Sequence, residues 1–428
     1  MLDLKWIREN PEILKQGLEA KGEPVDITEL LALDRQRRSL IKETEGLKAK
    51  RNLVSQEVAT LKGQYKPADA IISSMKVISQ KIKEIDDNVG DLDDKIAKII
   101  LNIPNIPDSS VTTAPGNTGN KVVRDWGKPR KFNFKAKNHL ELIGDPKNAN
   151  SYYLSMASGS RITGSAFPVF RDKGALLERA LINFMIDLHV GKHGYTEIWP
   201  PALVNRAAMT GTGQLPKLEE DMYKLKDDDF FLIPTAEVPV TNLYRDEILK
   251  EEDLPIKHVA YTPCFRREAG SYGKDTQGLS RVHQFDKVEM VKFVRPEDSV
   301  NEFEALVANA EAVLQALELP YRVVQLGSGD MSFAAAKCYD LEVYAPGMDR
   351  WFEVSSCSVF GDFQARRMNL RFKRKSSGKI EFIHTLNGSG VALARTVLCL
   401  VENFQTAQGT VDFENFPKAL KPYLSYSR

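Results

Sequence analysis

The sequence predicts an α+β protein in which an antiparallel coiled-coil arm precedes a mixed strand-and-helix domain. Two observations lead there. Between Leu33 and Ile99, apolar residues recur at heptad spacing in two stretches of matching length. Beyond a linker rich in Pro, Gly, Ser and Thr, strand-like runs crowd together with helices among them, without the regular alternation of a βαβ series.

In chain order, Asp3 to Lys21 reads as a short helix, with Pro11 either in a first turn or marking a break. Gly22 and Pro24 end it. Leu33, Leu40, Leu47, Val54 and Leu61 then fall seven apart. After the turn GQYKP (Gly63 to Pro67), Met75, Ile78, Ile82, Ile85, Val89, Leu92, Ile96 and Ile99 alternate steps of three and four. That is an a/d seam, and two such helices joined by a short turn fold back on each other. About 30 residues at 1.5 Å each give an arm of roughly 45 Å. The first helix carries Arg35, Arg37, Arg38, Lys42, Lys48, Lys50, Arg51 and Lys62 against Asp34, Glu43, Glu45 and Glu57; the second carries Asp86, Asp87, Asp91, Asp93 and Asp94. Either the opposite charges pair across the seam, or the basic face tracks an RNA backbone. Both readings stay open.

The arm ends at the linker NIPNIPDSSVTTAPGNTGN. Beyond it, Ala175 to Val190, Val300 to Leu317 and Val391 to Gln405 read as amphipathic helices. HVAYTPCFRREAG and SRVHQFDKVEMVKFV read as a strand hairpin around the polar loop SYGKDTQGL. Period two puts Arg266 and Glu268 on one face with Arg267 on the other, and groups Phe285, Lys287 and Glu289. A strand facing an ordinary core would not carry Arg and Glu there, although a solvent-facing strand could. The same parity pairs Thr235 with Glu237 in FFLIPTAEVPVTN, and Glu353 with Ser355 in WFEVSSCS, Ser356 following. LNGSGVALAR places Asn387, Gly388, Ser389 and Gly390 at the start of a helix, with Arg395 in its second turn. Such a start either holds an anion through free amides or is only a tight turn. GSYGKDT lacks P-loop spacing and no helix follows it; no GxGxxG follows a strand.

Length and composition narrow the class. The 428 residues allow two or three domains, and 42% hydrophobic with 27% charged residues is ordinary for a globular protein. A net charge of +1 gives no sign of a polyanionic partner, so any nucleic-acid contact must be local. MLDLKWIREN has charges where a signal peptide needs an apolar run, and no window suits a membrane span, so a cytoplasmic protein is expected. Cys264, Cys338, Cys357 and Cys399 are too dispersed for a CxxC pair, so neither zinc nor a disulfide is expected.

Together, CFRREAGSYGKDTQGLSRVHQFDKVEMV, the TAE triplet, EVSS and LNGSGVALAR resemble the motifs of class II aminoacyl-tRNA synthetases, and their wording resembles the bacterial-type seryl family. The likeness extends over nearly the whole chain, and the class I signatures HIGH and KMSKS are absent. The resemblance implies a class II antiparallel β-sheet catalytic domain with flanking helices at 121–428. It also implies a tRNA-binding helical domain at 1–103 and a linker at 104–120. It implies ATP-dependent attachment of L-serine to serine tRNA through a seryl-adenylate, with selenocysteine tRNA also served where the source has one. By position in the motifs, Arg266, Glu268 and Arg395 would be catalytic. Thr235, Ala236, Glu237, Arg266, Glu289, Asn387 and Ser389 would bind serine. Arg266, Arg267, Glu268, Phe285, Glu353, Val354, Ser355, Ser356 and Arg395 would bind ATP, with Glu353 and Ser356 on Mg²⁺. A homodimer is implied as well, with Pro200 or Pro201 of EIWPPALV at the interface.

Three positions depart from the family's usual wording. Lys274 and Gln277 stand where arginines are common, and Val359 where a polar residue is. The loop departure bears on handling of the tRNA acceptor end. Two other functions compete with the ligase: a non-catalytic relative that keeps the arm as an RNA-binding or interaction module, and an adenylate-forming ligase with another acceptor. The first should lack Arg266, Glu268, Glu289 or Arg395, and all four are present; the second should lack the arm.

Overall fold

The N-terminal stretch folds as two helices, α1 (Leu4–Glu9) and α2 (Pro11–Ala20). Asp3 caps α1 by accepting from the Trp6 amide at 2.9 Å, and Asn10 leaves the helical region at φ −133°. Pro11 opens α2, a position where its missing N–H would be unpaired anyway. The break that Pro11 left open between Asp3 and Lys21 is therefore present, at Asn10. The computed structural model describes residues 1–147, 151–268 and 277–425. It divides into two compact units, Leu2–Lys15 with Pro24–Pro104, and Met1 with Gln16–Glu23 and Asn105–Arg428.

In the first unit, α3 (Thr28–Gly63) and α4 (Asp69–Ile100) form the arm. The 36 residues of α3 span about 54 Å. Ile82, Ile85, Leu92 and Ile96 of α4 are buried against half-buried Leu33, Leu40, Leu47, Val54 and Leu61 of α3. Each buried Ile or Leu contributes roughly 1.5–3 kcal/mol. Cross-seam ion pairs join Arg37 to Asp93, Lys81 to Glu43 (2.7 Å) and Lys48 to Asp86 (3.2 Å). These partly exposed pairs are worth about 1 kcal/mol or less each, so they help to set register more than stability. Arg35, Lys42, Lys50 and Lys62 are exposed and make no ion pair among the described residues. The seam therefore uses only part of the basic charge of α3.

The second unit is built on strands β1 (Lys121–Trp126), β2 (Thr196–Glu197), β3 (Ile256–Phe265), β4 (Gln284–Val294), β5 (Tyr321–Gln325), β6 (Lys337–Ala345), β7 (Arg350–Gly361) and β8 (His384–Ala392). They lie in the order β1-β5-β6-β7-β8-β4-β3-β2, antiparallel throughout except for the short β2–β3 pair. Helices α5 (Lys173–His193), α6 (Glu237–Thr241), α7 (Ser299–Ala316), α8 (Phe363–Met368) and α9 (Leu393–Asn403) surround this sheet. Leu181 and Met185 of α5, Leu306 of α7 and Val397 and Leu400 of α9 share one core with Val288, Met290, Leu341 and Val343.

Here one expectation fails. Asn387 to Gly390 do not start a helix; they lie within β8, and α9 begins only at Leu393. The glycines serve packing. A Cβ on Gly388 would sit 2.4 Å from Leu306 and 2.7 Å from the Cys357 sulfur, and one on Gly390 would sit 2.8 Å from His189. Asn387 and Ser389 alternate with them onto the other face. Among the described residues no helix is long and apolar enough to cross a membrane. The four cysteines are buried and free.

Candidate active site

Four strand segments and two helix starts converge on one cleft of about 570 Å³. Thr235, Glu237, Arg266, Glu268, Phe285 and Glu289 line one part of it. Glu353, Val354, Ser356, Asn387, Ser389 and Arg395 line the rest. All the charged groups foreseen from the sequence except Arg267 thus meet in one place.

Glu289 is its best-anchored member. It is 1% exposed, and its carboxylate accepts from Asn387 Nδ2 at 2.9 Å and Ser389 Oγ at 3.2 Å. The Lys287 ammonium lies 2.5 Å away and also donates to Thr235 Oγ1 at 2.8 Å. Period two groups Lys287 with Phe285 and Glu289, and the structure keeps that grouping, but the motif resemblance implies no role for it. Glu237 is buried too, and burial followed by the charge of Glu289 pushes its carboxyl up to about 7.

Arg266 lies just beyond β3, held by its own amide donating to the His283 carbonyl at 2.9 Å. Its guanidinium is 5.3 Å from the Phe285 ring centre, with Nε 3.4 Å from the Pro234 carbonyl. Glu268 adopts φ +49° and takes a bond from Arg281 at 2.6 Å, another partner the sequence reading missed. Because β3 stops at Phe265, parity does not explain how Arg266 and Glu268 come to share the cleft. Position 274 lies outside the described residues; Gln277 begins the return of the loop. That return is fastened by buried His139, whose ring meets the Leu279 amide at 3.1 Å and Glu402 at 3.1 Å.

Three expected members do not line the cleft. Ala236 is fully buried in an apolar cluster, because Thr235 to Glu237 leave the strand at Leu232 and enter α6. The Arg267 guanidinium turns to the Glu220 carbonyl at 2.9 Å. Ser355 is buried and donates to the Ser389 carbonyl at 2.6 Å. The last has a clear cause. Leu341 pairs with Ser355 but Glu342 with Glu353, so a bulge at Val354 breaks the parity and turns Ser356 to the side of Glu353.

Arg395, in the first turn of α9 rather than the second, donates to the Ser280 carbonyl at 3.1 Å and to the Glu353 carbonyl at 2.8 Å. Behind Ser356, burial and then the charge of Glu353 push the Asp340 carboxyl well above the usual carboxylate range. Carboxyls gathered this closely favour a cation beside them. Among the described residues no group of three or more His, Cys, Asp or Glu could hold a metal. Glu353 with the Ser356 hydroxyl is instead a sparse oxygen set, as suits Mg²⁺ carried on phosphates.

Comparison with known proteins decides the family. The seryl-tRNA synthetase N-terminal domain matches residues 1–107, and the class II tRNA synthetase core domain (G, H, P, S and T) matches residues 222–404. The chain is 51% identical to a serine–tRNA ligase of Carboxydothermus hydrogenoformans, over 100% of this chain and 99% of the relative. The chain belongs to the seryl-tRNA synthetase family. Among solved members, the Pyrococcus horikoshii seryl-tRNA synthetase complexed with ATP matches at TM-score 0.90 and 36% identity, over 100% of this chain and 98% of that one. The cytoplasmic serine-tRNA ligase of Naegleria fowleri in complex with AMP matches at TM-score 0.84 and 30% identity, over 99% and 97%. The class II fold and the helical arm expected from the sequence are those of this seryl-tRNA synthetase family member.

Proposed function

We propose that this chain activates L-serine with ATP and transfers the seryl group to serine tRNA. The observation that carries the reading is the convergence of Arg266, Glu289, Glu353 and Arg395 on one cleft. The serine carboxylate is ionised at neutral pH and needs no base to attack the α-phosphorus. It needs its own charge and that of the phosphate held together while charge moves to the departing pyrophosphate. Arg266 does this with a planar two-armed donor, and Arg395 meets the γ-phosphate. Phe285 stacks on adenine, and Glu268 borders it. Thr235, Glu237, Arg266, Glu289, Asn387 and Ser389 hold serine: Glu237 takes its ammonium and Glu289 its hydroxyl. A site built to bond a hydroxyl rejects the analogue lacking it by roughly 10⁴ to 10⁵. When bound on the ATP phosphates, Mg²⁺ supplies positive charge there, held by Glu353 and Ser356.

Residues 1–103 act as the tRNA-binding domain, joined through a linker at 104–120 to the catalytic domain at 121–428. The exposed cations Arg35, Lys42, Lys50 and Lys62 on α3 support a backbone contact that weakens with salt. Selenocysteine tRNA is charged where the source makes one. The active form is a cytoplasmic homodimer. Trp199 (78% exposed), Leu203 and Phe230 stand exposed near Pro200 and Pro201, as an apolar interface requires. Serine-dependent ATP–pyrophosphate exchange and serine attachment to tRNA test the reading. Exchange without attachment would favour another acceptor, and neither activity would leave an interaction protein.

A further inference from the structure

Gln364 of α8 has no exposed surface and does not line the cleft, yet it reaches one of the cleft's two buried carboxylates. Its amide has three partners: Thr385 Oγ1 at 2.7 Å, the Thr212 carbonyl at 3.1 Å and Glu237 Oε1 at 2.6 Å. The Thr212 carbonyl can only accept. Nε2 therefore faces Thr212 and Glu237 with both hydrogens in use, and Oε1 accepts from the Thr385 hydroxyl.

Glu237 has few other supports. Among the described residues it makes no ion pair, whereas Glu289 beside it is met by Lys287, Asn387 and Ser389. Burial and Glu289 push the Glu237 carboxyl up; Gln364, Lys287 of β4 and Arg266 at the end of β3 act the other way. A hydrogen bond to an ionised carboxylate is about twice as strong as one to a neutral acceptor. The Gln364 amide therefore favours the ionised form and fixes its rotamer. One row of β8 serves both carboxylates: Thr385 orients Gln364 for Glu237, and Asn387 and Ser389 bond Glu289 directly.

We propose that Gln364 is a positioning residue whose amide, oriented by Thr385 and Thr212, holds Glu237 as a fixed anionic acceptor for the ammonium of the amino-acid substrate. This rests on the serine-activation reading above. Gln364→Met in the full-length chain keeps the volume and removes the donor. In serine-dependent ATP–pyrophosphate exchange between pH 6 and 8.5, its KM for serine should rise roughly 10- to 100-fold near neutrality, as for loss of a bond to a charged group. The KM for ATP should stay within about twofold, since the ATP contacts are untouched. The pH at which the KM for serine falls should move up by about one unit, tenfold in proton affinity. Thr385→Val, which removes only the orienting hydroxyl, should shift the profile the same way by less, and decides the matter if Gln364→Met does not fold. A pH profile unchanged from wild type in the folded variants overturns the proposal, as does an equal loss in both KM values and kcat. Wild-type protein without serine-dependent exchange overturns the activity reading and this proposal with it; wild-type exchange with unmoved variants overturns this proposal alone.

Discussion

Arg395 bonds Glu353 twice, donating Nη1 to its backbone carbonyl at 2.8 Å and to its carboxylate at 3.3 Å. The cation proposed for the γ-phosphate and the carboxylate proposed for Mg²⁺ are thus tied together before any nucleotide arrives. Glu353→Gln should keep the bond to the backbone and lose the charge. The Mg²⁺ concentration for half-maximal exchange should rise about tenfold, since a neutral amide is a poorer ligand for a hard cation. An unchanged Mg²⁺ titration would remove Glu353 from the metal.

Arg266→Ala should lower serine-dependent exchange by roughly 10² to 10³, the usual loss for a donor aimed at charge developing in the transition state. Arg266→Lys should recover only part, because an ammonium restores charge without the paired donors. Full exchange in Arg266→Ala would place the α-phosphate contact elsewhere.

Replacing Thr28 to Leu101 with a short Gly/Ser linker should spare exchange and cripple attachment to tRNA. The antiparallel pairing of α3 and α4, with Arg37 opposite Asp93, brings the two ends of the arm near each other, so a short linker can close the gap. Equal loss of both activities would mean that the arm serves folding or dimerisation instead.

Lys21 is buried, and its ammonium donates to three backbone carbonyls, Ser332 at 2.9 Å, Phe333 at 3.2 Å and Ala335 at 2.7 Å. Burial pushes its pKa down to about 7, well under the ~10.4 of an unfolded chain. Between those values the unfolded state binds the extra proton, so stability from this group rises with pH, by at most ~1.4 kcal/mol per unit. Urea melts of wild type and Lys21→Met at pH 7, 8 and 9 should show the variant lacking that rise. Parallel pH dependences would show that Lys21 keeps an ordinary affinity for its proton.

The arm was legible because coiled-coil periodicity is local: Ile82, Ile85, Leu92 and Ile96 are buried where the heptads put them. The chemical residue types were legible too, since Arg266, Glu289 and Glu353 sit in short motifs that carry their own wording. Alternation served Phe285 and Glu289, which lie inside a continuous strand, and misled at the bulge, where it chose Ser355; past the strand ends it paired Thr235 with Glu237 and Arg266 with Glu268 without accounting for how they meet.

By itself, then, the sequence determined the class, the arm and the set of groups available for chemistry. Tertiary structure decided which of them line the cleft. The bulge at Val354 selected Ser356 over Ser355, the early end of a strand put Glu237 on a helix, and packing of α7 against Gly388 kept Asn387 and Ser389 in β8. Gln364 came into view only there. Register, bulges and close approaches are set by partners far along the chain, and local spacing carries no record of them.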